Sequence, residues 1–329
     1  GEPLVSIVTP CRDAVDMVGA CIESIRTQSY PNIEHIVIDA ASTDGTVELL
    51  EGHEQITWVS EPDSGQSNAL NKGFAMAKGE YLAWLGADDL LKPRSVEWTV
   101  RRLFAAGSGI AYGDVEFVEP GRTYIVKPPA RLSSRSFEMF NPIWQPGTVF
   151  TAEAFKRVGG IDETYNLAMD FDLWLRMVDA GITATYVPET LATYVVHDAS
   201  KTGALNREDF IIEMFRSYLR SGRVREASLA LGRAAANAAH QDGVVDVAAT
   251  QENLDRYISM LDPGRELSLK IARAGAWAEA SVLELQRSVR GLRHVLRLSP
   301  WLVGPTRRRL LLAARRGLTR GRLAVPDNT

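Results

Sequence analysis

Cysteine is nearly absent from this chain: its 329 residues include two, Cys11 and Cys21. Two thiols in a chain of this size do not make a disulfide scaffold, and their spacing matches no metal-ligand pattern. They fit a reducing compartment, and buried apolar filler is the expected role of both. Long apolar runs are also missing; none reaches the ~20 residues that span a bilayer. No secretory leader opens the chain, and Gly1 stands where a start Met would, as after trimming. No low-complexity stretch or long-period repeat occurs. No G-x-G-x-x-G follows the first strand, which disfavours a nicotinamide or flavin site, and there is no Walker A lysine. The absence of a G-x-S-x-G elbow disfavours an α/β-hydrolase.

A composition of 45% hydrophobic and 24% charged residues is that of a globular protein. The length allows a large core and two domains. The net charge of -4 hides an asymmetry. Acids are common up to Glu284, whereas Arg287 to Arg322 contains eleven arginines and no acid. Arg290, Arg293 and Arg297 share one helical face there, and Leu292, Val295, Leu296 and Leu298 fill the rest. Such a tail suits an anionic membrane surface; a solvated helix of a helical domain is the competing reading. Nucleic acid is not expected, because no recognition motif accompanies the arginines.

The first half alternates strand and helix. Residues 4–10, 33–39, 56–60 and 81–86 read as strands. Helices are expected over residues 14–28, 45–51, 66–77 and 94–106. Strands apolar throughout, each followed by a helix, predict a mostly parallel sheet covered on both faces. Beyond it, residues 109–118, 122–127, 147–151, 182–187 and 191–197 read as short strands, and 152–158 and 170–180 as helices. After about Leu205 the chain reads all helical, so the expected domains are 1–205 and 206–329.

Ligands of open parallel sheets bind beyond the carboxyl ends of the strands. Polar groups gather at those ends here: Thr9 to Asp13, Asp39 and the following "ASTDGT", "SEPDSGQSN", and Gly86-Ala87-Asp88-Asp89. Loops are polar in any protein, but four clusters in register favour a site. An acid-rich edge that binds a diphosphate needs a cation, and Asp88-Asp89 offers oxygen ligands for Mn²⁺ or Mg²⁺. The competing role of the pair is to cap the next helix, which Pro93 and the distance to residue 94 make awkward.

Four ordered motifs, "VSIVTPCRD", "VIDAASTDGT", "SEPDSGQSNALNKGFAMAKGEYLAWLGADD" and "AMDFDLWLRM", resemble those of family 2 inverting glycosyltransferases. The resemblance runs from about Leu4 to Lys201 and implies a GT-A fold, an α/β nucleotide-diphospho-sugar transferase architecture. It implies that Asp39 accepts a hydrogen bond from a uracil imide and that the backbone of Thr9, Pro10 and Cys11 borders the base. Where the family often has a second acid and Gly, this chain has Ala40-Ala41-Ser42. The resemblance further implies donor contacts for Arg12, Asp63, Gln66, Asn68, Lys72 and Asp88. It makes Asp89 the metal ligand, with His197 as a second, although a lone His is as well explained by a structural role. Trp144 and Gln145 become acceptor contacts, with core packing the alternative for Trp144.

Transfer to a sugar hydroxyl needs a base. The resemblance places it in an acidic pair before the last helix, here Met169-Asp170, which selects Asp170. That residue could also be an N-cap. A helix N-terminus favours the ionised carboxylate and so weakens it as a base. Phe171, Trp174, Leu175 and Val178 form the expected buried stripe. Asp172 and Arg176, spaced i, i+4, are expected as an ion pair on a solvated face. The expectation is a metal-dependent inverting transferase that takes a UDP-sugar to a glycan or lipid-linked acceptor for surface polysaccharide. It would be cytoplasmic, with a peripheral place on the membrane face. Its rivals are a non-catalytic nucleotide-sugar-binding GT-A module and a metal-dependent nucleotidyltransferase.

Overall fold

The computed structural model describes residues 1–137, 141–197, 200 and 208–223, with short pieces at 226–227, 240–241, 244–245, 252–253 and 256. Strands β1 (Val5–Cys11), β2 (Ile33–Asp39), β3 (Thr57–Ser60) and β4 (Tyr81–Trp84) run parallel in the order β3-β2-β1-β4. Helices α1 (Val18–Arg26), α2 (Thr46–Glu51) and α3 (Gln66–Met76) make the crossovers. β1 is buried along its whole length, as a strand covered on both faces must be. Val5 and Ile7 pack with Cys21 and Ile25 of α1 on one face. Val8 faces α3 on the other. Gly73 permits that approach, because a methyl there would overlap Val8 and lie 3.3 Å from Ile38.

The sheet continues through β5 (Leu90–Leu91), β6 (Ile110–Glu119), β7 (Arg122–Val126), β8 (Thr148–Thr151) and β9 (Ala184–Val195), in the order β4-β8-β6-β9-β5 with β7 on β6. β8 is antiparallel to both β4 and β6, whereas β6 and β9 are parallel, so this half is mixed. Helix α4 (Ser95–Ala106) ends at Gly107, whose φ of 56° is the left-handed stop that glycine supplies. Helix α5 (Ala152–Arg157) is capped by Thr151, whose hydroxyl accepts from the Ala154 N–H at 3.1 Å. Helix α6 (Met169–Asp179) lies against β4 through Trp174, whose ring stacks on Trp84 at 5.4 Å and 17°.

Several expectations need correction. The strands expected at 182–187 and 191–197 are one strand, β9. Its register against β6 jumps from Gly113–Val187 to Asp114–Thr190; Pro188, which has no N–H to give a ladder, sits in the jump. β5 was not anticipated: two residues carry no periodic signal, and only pairing with Ala192 and Thr193 defines it. α6 is buried nearly all round, including Leu173 and Met177, while Val178 is only half-buried. Asp172 lies inside, 1% exposed, so its pair with Arg176 is buried rather than solvated.

By its contacts the chain divides into Gly1–Leu205 and Asn206–Thr329. The second unit contains α7 (Glu208–Arg220) and two short antiparallel strands, β10 (His240–Gln241) and β11 (Val244–Val245). It is therefore not all helical as expected. The sequence between those strands is Asp-Gly, the pair that two-residue hairpins favour. The segment 201–207 and the arginine-rich stretch 287–322 lie outside the described residues. Among the described residues no helix is long and apolar enough to cross a membrane.

Candidate active site

The parallel register brings the ends of β1, β2 and β3 to one level: Cys11 lies beside Asp39, and Asp39 beside Ser60. Asp39 is fully buried and its carboxylate is well satisfied. One oxygen accepts from the Ser42 hydroxyl and, at 3.6 Å, the Cys11 thiol. The other accepts from the Ser42 N–H at 3.0 Å and the Ser60 hydroxyl at 2.6 Å. Burial pushes the Cys11 thiol up, with the Asp39 charge second, so the sulfur keeps its proton and acts as a donor. A ligand imide could reach Asp39 only by displacing one of these donors, Ser42 being the nearest in sequence.

The other β1 positions contribute differently. The Thr9 side chain is buried and bonded to His35 Nε2 at 2.9 Å, and burial pushes that imidazole down to about 3. Thr9 and the buried Pro10 therefore offer a base only backbone. Arg12 is exposed and pairs loosely with Asp13 at 3.6 Å. Ala41 has φ 55°, a left-handed geometry that a Cβ disfavours.

The carboxylates of Asp88 and Asp89 converge over Gly86. A methyl at position 86 would lie 2.6 Å from Asp88 Oδ1 and 3.0 Å from Asp89 Oδ2, so only glycine leaves that space open. Asp89 is 2% exposed and accepts from the Val195 N–H at 3.2 Å. Burial, and then the Asp88 charge, hold its carboxyl well above the usual range. Neither acid caps α4: its N-cap is Arg94, whose side chain makes no capping bond. His197 follows β9 and reaches Asp88 Oδ2 through Nε2 at 3.0 Å. The contact places the His197 imidazole beside the Asp88–Asp89 pair, where the resemblance puts a second metal ligand.

Among the described residues, no three His, Cys, Asp or Glu side chains form a ready cation cage, and no Lys or Arg pairs with Asp88 or Asp89. Two adjacent carboxylates, one buried against its own charge, fit a cation that takes its remaining ligands from water and diphosphate oxygens.

Asp170 lies in the first turn of α6, whose N-cap is Ala168. Its Oδ2 accepts from Asn141 Nδ2 at 2.6 Å and its Oδ1 from the Phe171 N–H at 2.7 Å. Gln145, expected at an acceptor, donates through Nε2 to the Trp84 carbonyl at the end of β4. Trp144 is half-buried, edge-on to Phe117 at 4.7 Å and 6.4 Å from the Tyr194 ring. The α3 side is largely self-occupied. Asp63 accepts from the Gly65 N–H at 2.8 Å, and Asn68 donates to Glu163 at 2.9 Å. Lys72 holds Glu61 at 2.6 Å, while Gln66 opens the helix half-buried. Sequence reasoning placed Ser42 and Ser60 in the polar clusters at the strand ends without giving either a role, and it missed Asn141. Ser60 had a signal, as the last residue of the strand beside β2; Asn141 had none.

Residues 6–158 match the family described as "Glycosyl transferase family 2". An uncharacterized glycosyltransferase of Rickettsia typhi is 30% identical over 232 residues, 67% of this chain and 72% of the relative. A putative teichuronic acid biosynthesis glycosyltransferase of Bacillus subtilis, TuaG, is 28% identical over 201 residues, 59% and 79% of the two chains. Among solved structures, S. aureus TarS 1–349 in complex with UDP-GlcNAc superposes with TM-score 0.56 at 14% identity, covering 95% of this chain and 92% of that one. The mannosyltransferase PcManGT from Pyrobaculum calidifontis, in complex with GDP-Man and Mn²⁺, gives TM-score 0.51 at 21% identity, with 98% and 88% covered. The fold is the GT-A arrangement expected from the motifs.

Proposed function

Because this chain belongs to glycosyltransferase family 2, we propose that it is a metal-dependent inverting transferase that moves a sugar from a UDP-sugar to a glycan or lipid-linked acceptor of a surface polysaccharide. The observation that carries the reading is the convergence of Asp88 and Asp89 over Gly86 at the carboxyl end of β4. A buried carboxylate beside a like charge costs stability unless a ligand offsets it; a non-catalytic nucleotide-sugar-binding module would keep that pair too, and what favours an enzyme over it is the oriented Asp170 carboxylate. A nucleotidyltransferase would want a glycine-rich basic loop after β1, and this chain has Thr9-Pro10-Cys11-Arg12 there.

In this reading Asp89 and Asp88 would hold Mn²⁺ or Mg²⁺, which when bound neutralises charge on the departing diphosphate. Asp39 sets the height of the base, either directly or through Ser42. Asp170 takes the proton of the acceptor hydroxyl as its oxygen bonds the anomeric carbon. The carbon–diphosphate bond breaks on the opposite side, the electron pair leaves with the diphosphate, and the anomeric centre inverts. Trp144, beside Tyr194, offers an aromatic face to an acceptor sugar. The arginine-rich stretch 287–322 would hold the enzyme near anionic lipid. Uridine is favoured by the TarS complex with UDP-GlcNAc, and a GDP-sugar is the alternative raised by PcManGT.

The test is release of nucleotide from UDP-GlcNAc and from GDP-Man, with Mn²⁺ and with chelator, by the wild type and Asp170→Asn. Metal-dependent release of UDP that falls by about 10²–10⁴ in Asp170→Asn supports the reading. Release that persists in chelator, or at full rate in Asp170→Asn, contradicts it.

A further inference from the structure

The segment from Asn141 to Gln145 touches two parts of the site at once. At one end Asn141 Nδ2 donates to Asp170 Oδ2 at 2.6 Å. At the other, Gln145 Nε2 donates to the carbonyl of Trp84, the last residue of β4 before the Gly86–Asp89 turn. Between them Ile143 is fully buried and Trp144 is wedged against Phe117, so the segment is fixed by packing as well as by its bonds. The Trp84–Trp174 stack ties α6 to β4 independently.

The amide of Asn141 is not free to turn over. Its Oδ1 accepts from the Ile143 N–H at 3.3 Å, which leaves Nδ2 as the atom facing Asp170. That amide therefore presents a donor to the carboxylate. The second Asp170 oxygen is held by the Phe171 N–H. A carboxylate gripped at both oxygens has one orientation, and a base needs its orientation fixed relative to the hydroxyl it serves.

We propose that Asn141 is a positioning residue that aims the Asp170 carboxylate, and that the 141–145 segment keeps this aim in register with the end of β4. The proposal rests on the reading of Asp170 as the base. In this proposal Asn141 acts through Asp170, the side chain it bonds, rather than on donor or acceptor.

A double-mutant cycle tests this, because a residue that works only through a second one has no effect once the second is removed. The assay is UDP release from UDP-GlcNAc with Mn²⁺ and water as acceptor, or nucleotide release from GDP-Man if that donor is the one turned over. Four proteins are compared: wild type, Asn141→Ala, Asp170→Asn and the double variant. Asn141→Ala is expected to lower kcat by about 10- to 100-fold with the donor KM within about two-fold. The double variant should be no slower than Asp170→Asn alone. Losses that multiply in the double variant, or an unchanged kcat in Asn141→Ala, overturn the proposal while leaving Asp170 as the base. A full rate in Asp170→Asn overturns the base assignment and the proposal with it. Asn141→Asp guards against a packing artefact. It keeps the volume but sets a second carboxyl against Asp170, so that the two share one proton; kcat must fall by at least about tenfold and its pH profile must move to higher pH. A wild-type rate with a wild-type pH profile would show that Asn141 only fills space.

Discussion

Arg176 reaches Asp172 with its Nε at 2.8 Å, at a place where Asp172 is 1% exposed. Its other two guanidinium nitrogens close on the carbonyls of Val158 and Gly160, at 2.6 and 2.7 Å. One arginine thus ties the middle of α6 to the turn after α5. Removing one partner of a buried pair leaves the other charge without compensation, at a cost of about 3–5 kcal/mol. Asp172→Ala should lower the unfolding midpoint accordingly. Denaturant titration checks it; a loss below about 1 kcal/mol would mean the pair behaves as a surface one.

The raised Asp89 carboxyl makes a pH prediction with a definite sign. A carboxyl held up in the folded state keeps its proton there to higher pH than in the unfolded chain, where it titrates in the ordinary range. Without metal, its contribution to stability is therefore best at low pH and declines as pH rises from that ordinary range through the folded value. A cation needs the ionised form, so the stabilisation by Mn²⁺ plus UDP should grow as pH rises from the ordinary carboxyl range through the raised folded value. Asp89→Asn should match or exceed the metal-free wild type at neutral pH and show no Mn²⁺ response. Thermal shift across pH measures both; a metal response independent of pH would contradict the assignment.

Asp39 serves three side chains as an acceptor, so its removal has two readouts. Asp39→Ala strands Ser42 and Ser60 and should cost about 1–3 kcal/mol of stability. It should also weaken UDP more than GDP or ADP, measured by competition binding. Equal losses for all three nucleotides would leave Asp39 with a purely structural role.

Ala41 occupies a left-handed backbone position, φ 55°. The strain of a Cβ there is about 1–2 kcal/mol, partly offset by the chain entropy that glycine loses. Ala41→Gly should raise stability by about 0.5–1 kcal/mol. A fall in the unfolding midpoint would show that the turn is set by something other than local geometry.

The parallel half of the fold was legible because short strands rich in Ile and Val alternate with helical stretches: β2 falls on the expected residues 33–39. The buried face of α1 (Val18, Cys21, Ile22 and Ile25) likewise follows from its spacing. What escaped depends on partners from elsewhere in the chain. An Asp–Arg pair at i, i+4 looks the same on a wet face as on a buried one, and only the Val158 and Gly160 carbonyls decide that Arg176 points inward. Asn141 meets Asp170 across 29 positions, from a stretch outside any strand or helix, where periodicity says nothing. The acids at the ends of β2 and β4 were visible because register in a parallel sheet delivers strand ends to one edge. Which of their oxygens were already taken was not, since Ser42 and Ser60 become donors only once turn and strand are in place.

Calorimetric titration of UDP into the protein, with Mn²⁺ and with chelator, tests the central claim most directly. The account predicts binding with Mn²⁺ that weakens by at least about tenfold in chelator, and by a similar factor in Asp89→Asn with metal present, about 1.4 kcal/mol or more. UDP affinity that is the same with and without metal, and unchanged in Asp89→Asn, would show that Asp88 and Asp89 do not form a cation-dependent diphosphate site.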